Sequence, residues 1–192
     1  IQRILETIRE RFADIREDAE ITVECNPGTL TEEKLQIYKE AGVNRLSFGL
    51  QSADEKELKL LERIHTYETF EENFHLARKC GFANINVDLM SALPGQSVES
   101  YRQTLQKVCK LEPEHISAYS LIIEEGTPFA KRYGKDAKKR EAGEVPQFLP
   151  SEEEERQMYE DTARILLEHG YRRYEISNYA KEGYFCRHNA GY

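Results

Sequence analysis

The sequence predicts an α/β fold built on a parallel sheet that is curved into a barrel or part of one. Segments with strand and helix patterning alternate strictly through the first two thirds of the chain, the order that parallel strands joined by helical crossovers require. Four strand candidates in succession are apolar on one face and polar on the other. An open parallel sheet covered by helices on both sides is apolar on both, so the polar face needs a lumen to look into. The 192 residues suffice for a buried core.

The chain opens on IQRILETIRERF, where Ile1, Ile4, Leu5, Ile8 and Phe12 share one helical stripe. It starts inside a helix and without Met, which reads as a piece of a longer protein. The first strand, ITVECNP, sets Ile21, Val23 and Cys25 against Thr22, Glu24 and Asn26 on the opposite face. Thr31 then caps a helix with Glu32 and Glu33 in its first turn; Leu35, Tyr38 and Ala41 form its inner face. In the second strand, NRLSFGLQS, Leu46, Phe48 and Leu50 oppose Arg45, Ser47, Gly49 and Gln51. A short helix, DEKELKLL, precedes a longer one from about Tyr67 that carries Phe70, Phe74 and Ala77 inward. The third strand, NINVDLM, sets Ile85, Val87 and Leu89 against Asn84, Asn86 and Asp88. Ser97 caps the next helix, with Val98, Tyr101, Leu105 and Val108 on its apolar face. The fourth strand, HISAYSL, opposes Ile116 and Ala118 to His115, Ser117 and Tyr119.

The alternation then stops. Residues 131–150 are charged, contain Gly143 and Pro146, and read as an exposed loop. SEEEERQMYEDTARILLEHG is a helix opened by a Ser151–Glu154 capping box and closed by Gly170. YRRYEISNYA reads as a short strand and turn, and KEGYFCRHNAGY as a tail. The expected organisation is a partial barrel over 1–130, a loop over 131–150, and a helix, short strand and tail over 151–192 that lead into a further domain.

Composition narrows the function. With 27 Lys and Arg against 35 Asp and Glu the net charge is -8, and no long basic stripe tracks a phosphate backbone, so nucleic acid is not an expected partner. No apolar run reaches bilayer length and no signal peptide opens the chain; a cytoplasmic protein is expected. Cys25, Cys80, Cys109 and Cys186 are widely spaced and form no CxxC pair, which fits neither a disulfide scaffold nor a zinc motif. Cys80 and Cys109 read as packing residues.

Glu24, Gln51, Asp88 and Tyr119 lie toward the C-terminal ends of their strands, the end at which barrel active sites form. A carboxylate in mid-strand is costly unless something pairs with it. Asp88 therefore either meets a ligand in the lumen or pairs with Arg45 or Asn84 to hold the barrel together.

ITVECNPGTL, GVNRLSFGLQS, LERIH, NINVDLMSALPGQS, HISAYSLIIEEGTP, GYRRYEISNYA and CRHNAGY occur in this order. Together they resemble the radical S-adenosylmethionine proteins related to oxygen-independent coproporphyrinogen III oxidase, and most narrowly the haem chaperone branch of that family. The resemblance spans nearly the whole chain and is weakest over 131–150. It implies a partial TIM-like barrel of six parallel strands, of which these four are the third to the sixth. It also implies that Glu24, Gln51, Arg63 and Asp88 contact S-adenosylmethionine, with Met90 either touching the adenosine or simply packing. The chemistry suits: Glu24 can accept from the cofactor's ammonium, Asp88 and Gln51 can bind the ribose side or the carboxylate, and Arg63 can pair with the carboxylate as a two-pronged donor. Without the resemblance, Arg63 is a surface arginine at a helix end.

The family holds a 4Fe-4S cluster on a Cys-x3-Cys-x2-Cys loop and supports the cofactor on a glycine-rich segment. Neither occurs here, and both would precede Ile1. This fragment alone therefore has no expected cluster ligands and no expected reductive chemistry. In the tail, His188, Asn189 and Tyr192 match a motif that the chaperone branch links to haem. His188 is then a candidate haem-iron ligand, since neutral imidazole is a common axial group, with Cys186 two residues away; the plainer alternative is a hydrogen-bonding loop histidine. His75 and His169 sit on helices, His65 follows Arg63 and is placed to orient it, and His115 opens a strand toward the lumen.

Three readings follow. The first is a haem-binding transfer protein that hands haem to an acceptor protein, with an electron donor serving the cluster. The second is the porphyrinogen oxidase itself, decarboxylating propionate side chains in haem biosynthesis. The third is a structural barrel fragment without activity. Whether the chain is an enzyme is left open by the sequence.

Overall fold

A computed structural model describes residues 1–12 and 14–191. Its elements run in the order α1 (Gln2–Arg11), β1 (Thr22–Cys25), α2 (Glu32–Glu40), β2 (Arg45–Gln51), α3 (Glu55–Leu60), α4 (Tyr67–Lys79), β3 (Ile85–Ser91), α5 (Val98–Lys110), β4 (His115–Ser120), α6 (Pro128–Glu141), α7 (Glu152–Glu168), β5 (Arg172–Arg173) and β6 (Asn178–Ala180). The six strands form one sheet in the order β1-β2-β3-β4-β6-β5. The first four are parallel; β6 pairs antiparallel with β4, and β5 antiparallel with β6. The α/β class and parallel core agree with the sequence pattern, and β1 is an edge strand.

The helices begin where the sequence supplies an oxygen to an orphan amide. The side chains of Thr31, Thr66, Ser97 and Thr127 accept from the backbone N–H three residues on, and Ser151 and Glu154 satisfy each other's amides in a full capping box. Each such cap contributes about 1 kcal/mol. The apolar strand face lies under the helices: Leu46, Phe48, Leu50, Ile85, Val87, Leu89 and Ile116 are buried in one core. Phe48 meets Phe70 edge-on at 5.7 Å and Phe74 at 6.4 Å, which fixes α4 against β2. On α5 and α7, Arg102 pairs with the buried Asp161 at 2.6 Å.

Residues 131–141, expected as exposed loop, belong to α6, and the loop begins only after Glu141. Thr127 caps this helix and Pro128 occupies its first turn, where a missing amide hydrogen costs nothing. Phe129 packs tilted against Tyr133 at 5.4 Å, and Tyr133 meets Phe148 edge-on at 6.0 Å. The Asp136 carboxylate accepts from the amides of Gln147, Phe148 and Leu149 at 2.7, 2.6 and 2.9 Å and folds the following loop back over the helix. Charged residues around so few apolar anchors hide the helical period in the sequence.

The polar strand face looks away from this core, as the alternation predicts. Its two levels differ. Near the strand starts it meets the tail, and near the C-terminal ends it opens into a second cavity.

Candidate functional site

The upper cavity encloses about 380 Å³ at the C-terminal ends of β1, β2, β3 and β4. Glu24, Gln51, Arg63 and Asp88 all line it, with Tyr119. Four of the five residues expected to meet the cofactor thus converge from three strands and one loop. Met90 is the exception. It sits one pleat beyond Asp88, opposite Tyr119 in register, and is not among the lining residues; its carbonyl accepts from Gln96 Nε2 at 3.3 Å.

Gln51 is aimed by its backbone. It has φ 72° and follows a register shift between β2 and β3, a strained placement of the kind that re-aims a side chain at a functional site. Tyr119 donates from its hydroxyl to Gln51 Oε1 at 3.0 Å, leaving the amide NH2 as the free donor. Gly49 makes room for that amide, because a Cβ there would stand 3.2 Å from Gln51 Nε2. Arg63 lies just beyond α3. His65, buried and held neutral by burial, donates from Nε2 to the Leu50 carbonyl at 3.3 Å. The sequence places it to orient Arg63; its hydrogen bond is to the Leu50 carbonyl, which pins the Arg63 segment to the end of β2.

Asp88 accepts from Asn86 Nδ2 at 2.7 Å and from Ser47 Oγ at 3.3 Å. Neither Arg45 nor Asn84 hydrogen-bonds to it; its partner across the strands is Ser47 on β2. Burial pushes its carboxyl above the usual carboxylate range, against the hydrogen bonds from Asn86, Ser117 and Ser47 and the field of Arg45. Such a group gains most from a ligand that brings positive charge or hydroxyl donors.

A lower cavity of about 290 Å³ shares Glu24, Ser47 and Asp88 with the upper one and is closed by Cys186, His188 and Asn189. Contacts that strap the tail down include Arg187 to Asp18 at 3.1 Å, Cys186 Sγ donating to Glu20 at 3.3 Å, and Phe185 stacked on Tyr174 at 4.7 Å. Tyr192, the third residue of the expected haem motif, lies outside the described residues. Among the described residues no group of three or more His, Cys, Asp or Glu converges to hold a metal ion, and no helix is long and apolar enough to cross a membrane.

Sequence reading missed two networks. Glu57, buried, accepts from Ser52 Oγ at 2.5 Å, Ser100 Oγ at 2.5 Å and Gln96 Nε2 at 2.8 Å. It clamps the turn after β2 to the turn after β3, next to Gln51. Nothing in its own segment marks it, since a glutamate in a charged helix reads as a solvated one. The second joins the buried Asn86 and His115 to the half-buried Tyr174, of which only the first two were visible as polar strand positions.

Residues 1–108 match the Radical SAM superfamily. The chain is similar over its full length to the Heme chaperone HemW of Bacillus subtilis (strain 168), 38% identical and covering 48% of that protein. It is likewise 38% identical to the Heme chaperone HemW of Escherichia coli (strain K12), covering 47%. The mitochondrial Radical S-adenosyl methionine domain-containing protein 1 of Danio rerio is 34% identical, with 41% of it covered. Among solved structures, the Coproporphyrinogen III oxidase HemN of Escherichia coli, a radical SAM enzyme, superimposes with a TM-score of 0.80 at 29% identity, over 94% of this chain and 39% of that one. The chain therefore spans about half the length of the relatives it matches, or less.

Proposed function

From the premise that the chain belongs to the Radical SAM superfamily, we propose that it is part of a haem chaperone that uses S-adenosylmethionine. The observation that carries this reading is the convergence of Glu24, Gln51, Arg63 and Asp88 on one cavity. They come from segments distant in sequence, and only a shared ligand gives their meeting a purpose.

The residues fit that cofactor. S-adenosylmethionine carries a sulfonium, an ammonium, a carboxylate and a ribose diol. Two carboxylates against one guanidinium leave the cavity with a negative excess that complements a ligand with a positive one. The volume falls within the roughly 300–1,000 Å³ of small-molecule sites. Arg63 suits the ligand's carboxylate as a fork donor; Glu24, at the exposed rim, suits the ammonium; Asp88 and Gln51 suit the ribose side. When bound, the cofactor supplies a sulfonium whose reductive cleavage is the family's route to radicals. The cluster that would drive it finds no ligand set among the described residues, so none of this chain's residues is assigned to hold it. An electron donor is a partner of the whole protein.

The haem half of the reading rests on the tail. His188 and Asn189 line the lower cavity, and the full-length similarity to proteins named haem chaperones supports a haem-handling role over a purely structural one. Coproporphyrinogen oxidation is the second reading, favoured by the 0.80 TM-score to HemN.

One experiment separates them. The full-length protein, its cluster reconstituted anaerobically, is supplied with coproporphyrinogen III, S-adenosylmethionine and a reductant, and separately titrated with haem. The chaperone reading expects a haem absorption band that shifts in His188→Ala, and no decarboxylated product. Product without stable haem binding would establish the oxidase instead.

A further inference from the structure

The polar face of the sheet carries a chain of hydrogen bonds that starts in the upper cavity and ends in the tail. Asp88 Oδ1 accepts from Asn86 Nδ2 at 2.7 Å. Asn86 Oδ1 meets His115 Nδ1 at 2.6 Å. His115 Nε2 meets the Tyr174 hydroxyl at 2.7 Å. The Tyr174 oxygen accepts from the Cys186 amide at 3.3 Å.

The direction of every link is determined. The Asn86 amide group donates to both Asp88 and Ser47, so its carbonyl oxygen faces His115 as an acceptor. His115 must then donate from Nδ1, which leaves Nε2 as an acceptor and makes Tyr174 the donor. Every proton points the same way, from the tail toward the carboxylate. Links aligned like this strengthen one another, and a negative charge at the end strengthens them all. His115 and Asn86 are 0% and 2% exposed, so solvent does not replace the link between them.

We propose that this chain couples the cofactor cavity to the tail, so that S-adenosylmethionine, by engaging Asp88, loosens the hold on residues 186–189. Donors on the ligand draw charge density from the carboxylate that Asn86 now shares with Ser47. The polarisation of the upstream links falls with it, and the Cys186 anchor on Tyr174 weakens last. The tail does not unfold, because the Arg187–Asp18 pair and the Cys186–Glu20 bond lie outside the chain, and the Phe185–Tyr174 stack uses the ring and not the hydroxyl. His115 and Tyr174 are positioning residues here: neither lines the upper cavity. The inference rests on the assignment of that cavity to S-adenosylmethionine, and it gives the haem-linked segment a regulator. By reciprocity, whatever holds the tail closed weakens cofactor binding by the same factor.

The test reads the tail itself rather than turnover. In the full-length, cluster-loaded protein, amide hydrogen exchange over 184–191 is followed with and without saturating S-adenosylmethionine, with binding confirmed by calorimetry in the same sample. The expected result is exchange faster by about five-fold or more on cofactor binding, the lower range of allosteric coupling. Tyr174→Phe keeps the ring stack and removes only the hydroxyl; it is expected to bind the cofactor and show no such acceleration. His115→Gln serves as a second break in the chain and is expected to behave alike. A wild-type tail indifferent to bound cofactor overturns the coupling and leaves the assignment of the cavity intact. So does acceleration that persists in Tyr174→Phe. A wild-type protein that does not bind S-adenosylmethionine at all overturns the assignment, and the coupling with it.

Discussion

Replacing Asp88 with Asn keeps the shape of the side chain and removes its charge. In the native protein that charge is buried, and the carboxyl is held above its usual range by desolvation. A carboxylate whose folded pKa is raised contributes its full stability below the unfolded value near 3.9 and loses it as pH rises through the folded value. At neutral pH, Asp88 is therefore a cost to folding. The Asn variant escapes that cost but weakens two hydrogen bonds, from Asn86 at 2.7 Å and Ser47 at 3.3 Å, from charged to neutral strength, about 1 kcal/mol each. The two effects oppose each other, so at pH 7 the variant is expected to lose no more than the about 2 kcal/mol of the two weakened bonds, and to be relatively more stable at pH 7 than at pH 4. Binding behaves differently. Losing a charge-assisted bond to the ligand costs about 1.5–3 kcal/mol, a drop in S-adenosylmethionine affinity of about ten- to 150-fold. Urea denaturation at both pH values and calorimetric titration of the cluster-loaded full-length protein measure the two quantities. A variant destabilised by more than about 2 kcal/mol with unchanged affinity would refute the reasoning and make Asp88 a structural brace.

Arg63→Ala should lower cofactor affinity by about ten-fold or more and leave the urea midpoint unchanged, with Arg63→Lys recovering only part, since a point charge lacks the fork; equal affinity for Arg63→Ala would remove it from the site. Gly49→Ala should weaken binding with little loss of stability, because the new Cβ meets only the tip of Gln51 at 3.2 Å; a large fall in melting temperature with normal binding would contradict that. Phe48→Ala should destabilise by about 3–5 kcal/mol, read from denaturant unfolding, since the ring is buried against Phe70 and Phe74. His115 is driven down to a pKa of about 3 by burial, with Arg45 adding to the effect. Its folded value lies below its unfolded one near 6.5, so its contribution is intact above that pH and is lost as pH falls from 6.5 toward 3, by at most about 1.4 kcal/mol per unit. Stability measured across that window in wild type and His115→Gln should converge as pH falls; parallel curves would show that His115 is not buried neutral.

Much of the fold was written locally. The alternation of Leu46, Phe48 and Leu50 with Arg45, Ser47 and Gln51, repeated in the other strands, is a period-two signal that needs no tertiary information. So are the caps at Thr31, Ser97 and Ser151, where a side-chain oxygen and the amide it satisfies lie three residues apart. The same alternation placed Glu24, Gln51 and Asp88 on one face, since side-chain direction along a strand follows from position alone. By contrast, α6 was hidden because its anchors, Phe129 and Tyr133, find their partner Phe148 only after the loop folds back, and the carboxylate that folds it, Asp136, is indistinguishable in sequence from its solvated neighbours. Met90, given by the resemblance as either an adenosine contact or a packing residue, is not among the residues that line the upper cavity.

By itself the sequence determined which residues point inward and which outward, because that depends on spacing along a rigid backbone. It could not determine which inward residues meet. That Asp88 turns to Asn86 and Ser47 rather than to Arg45, and that His115 reaches Tyr174 across 59 residues, was decided by strand register and by the antiparallel return of β6 beside β4. Hydrogen bonds act over about 3 Å, so distances in space, which only the folded chain possesses, select among partners that the sequence leaves equivalent.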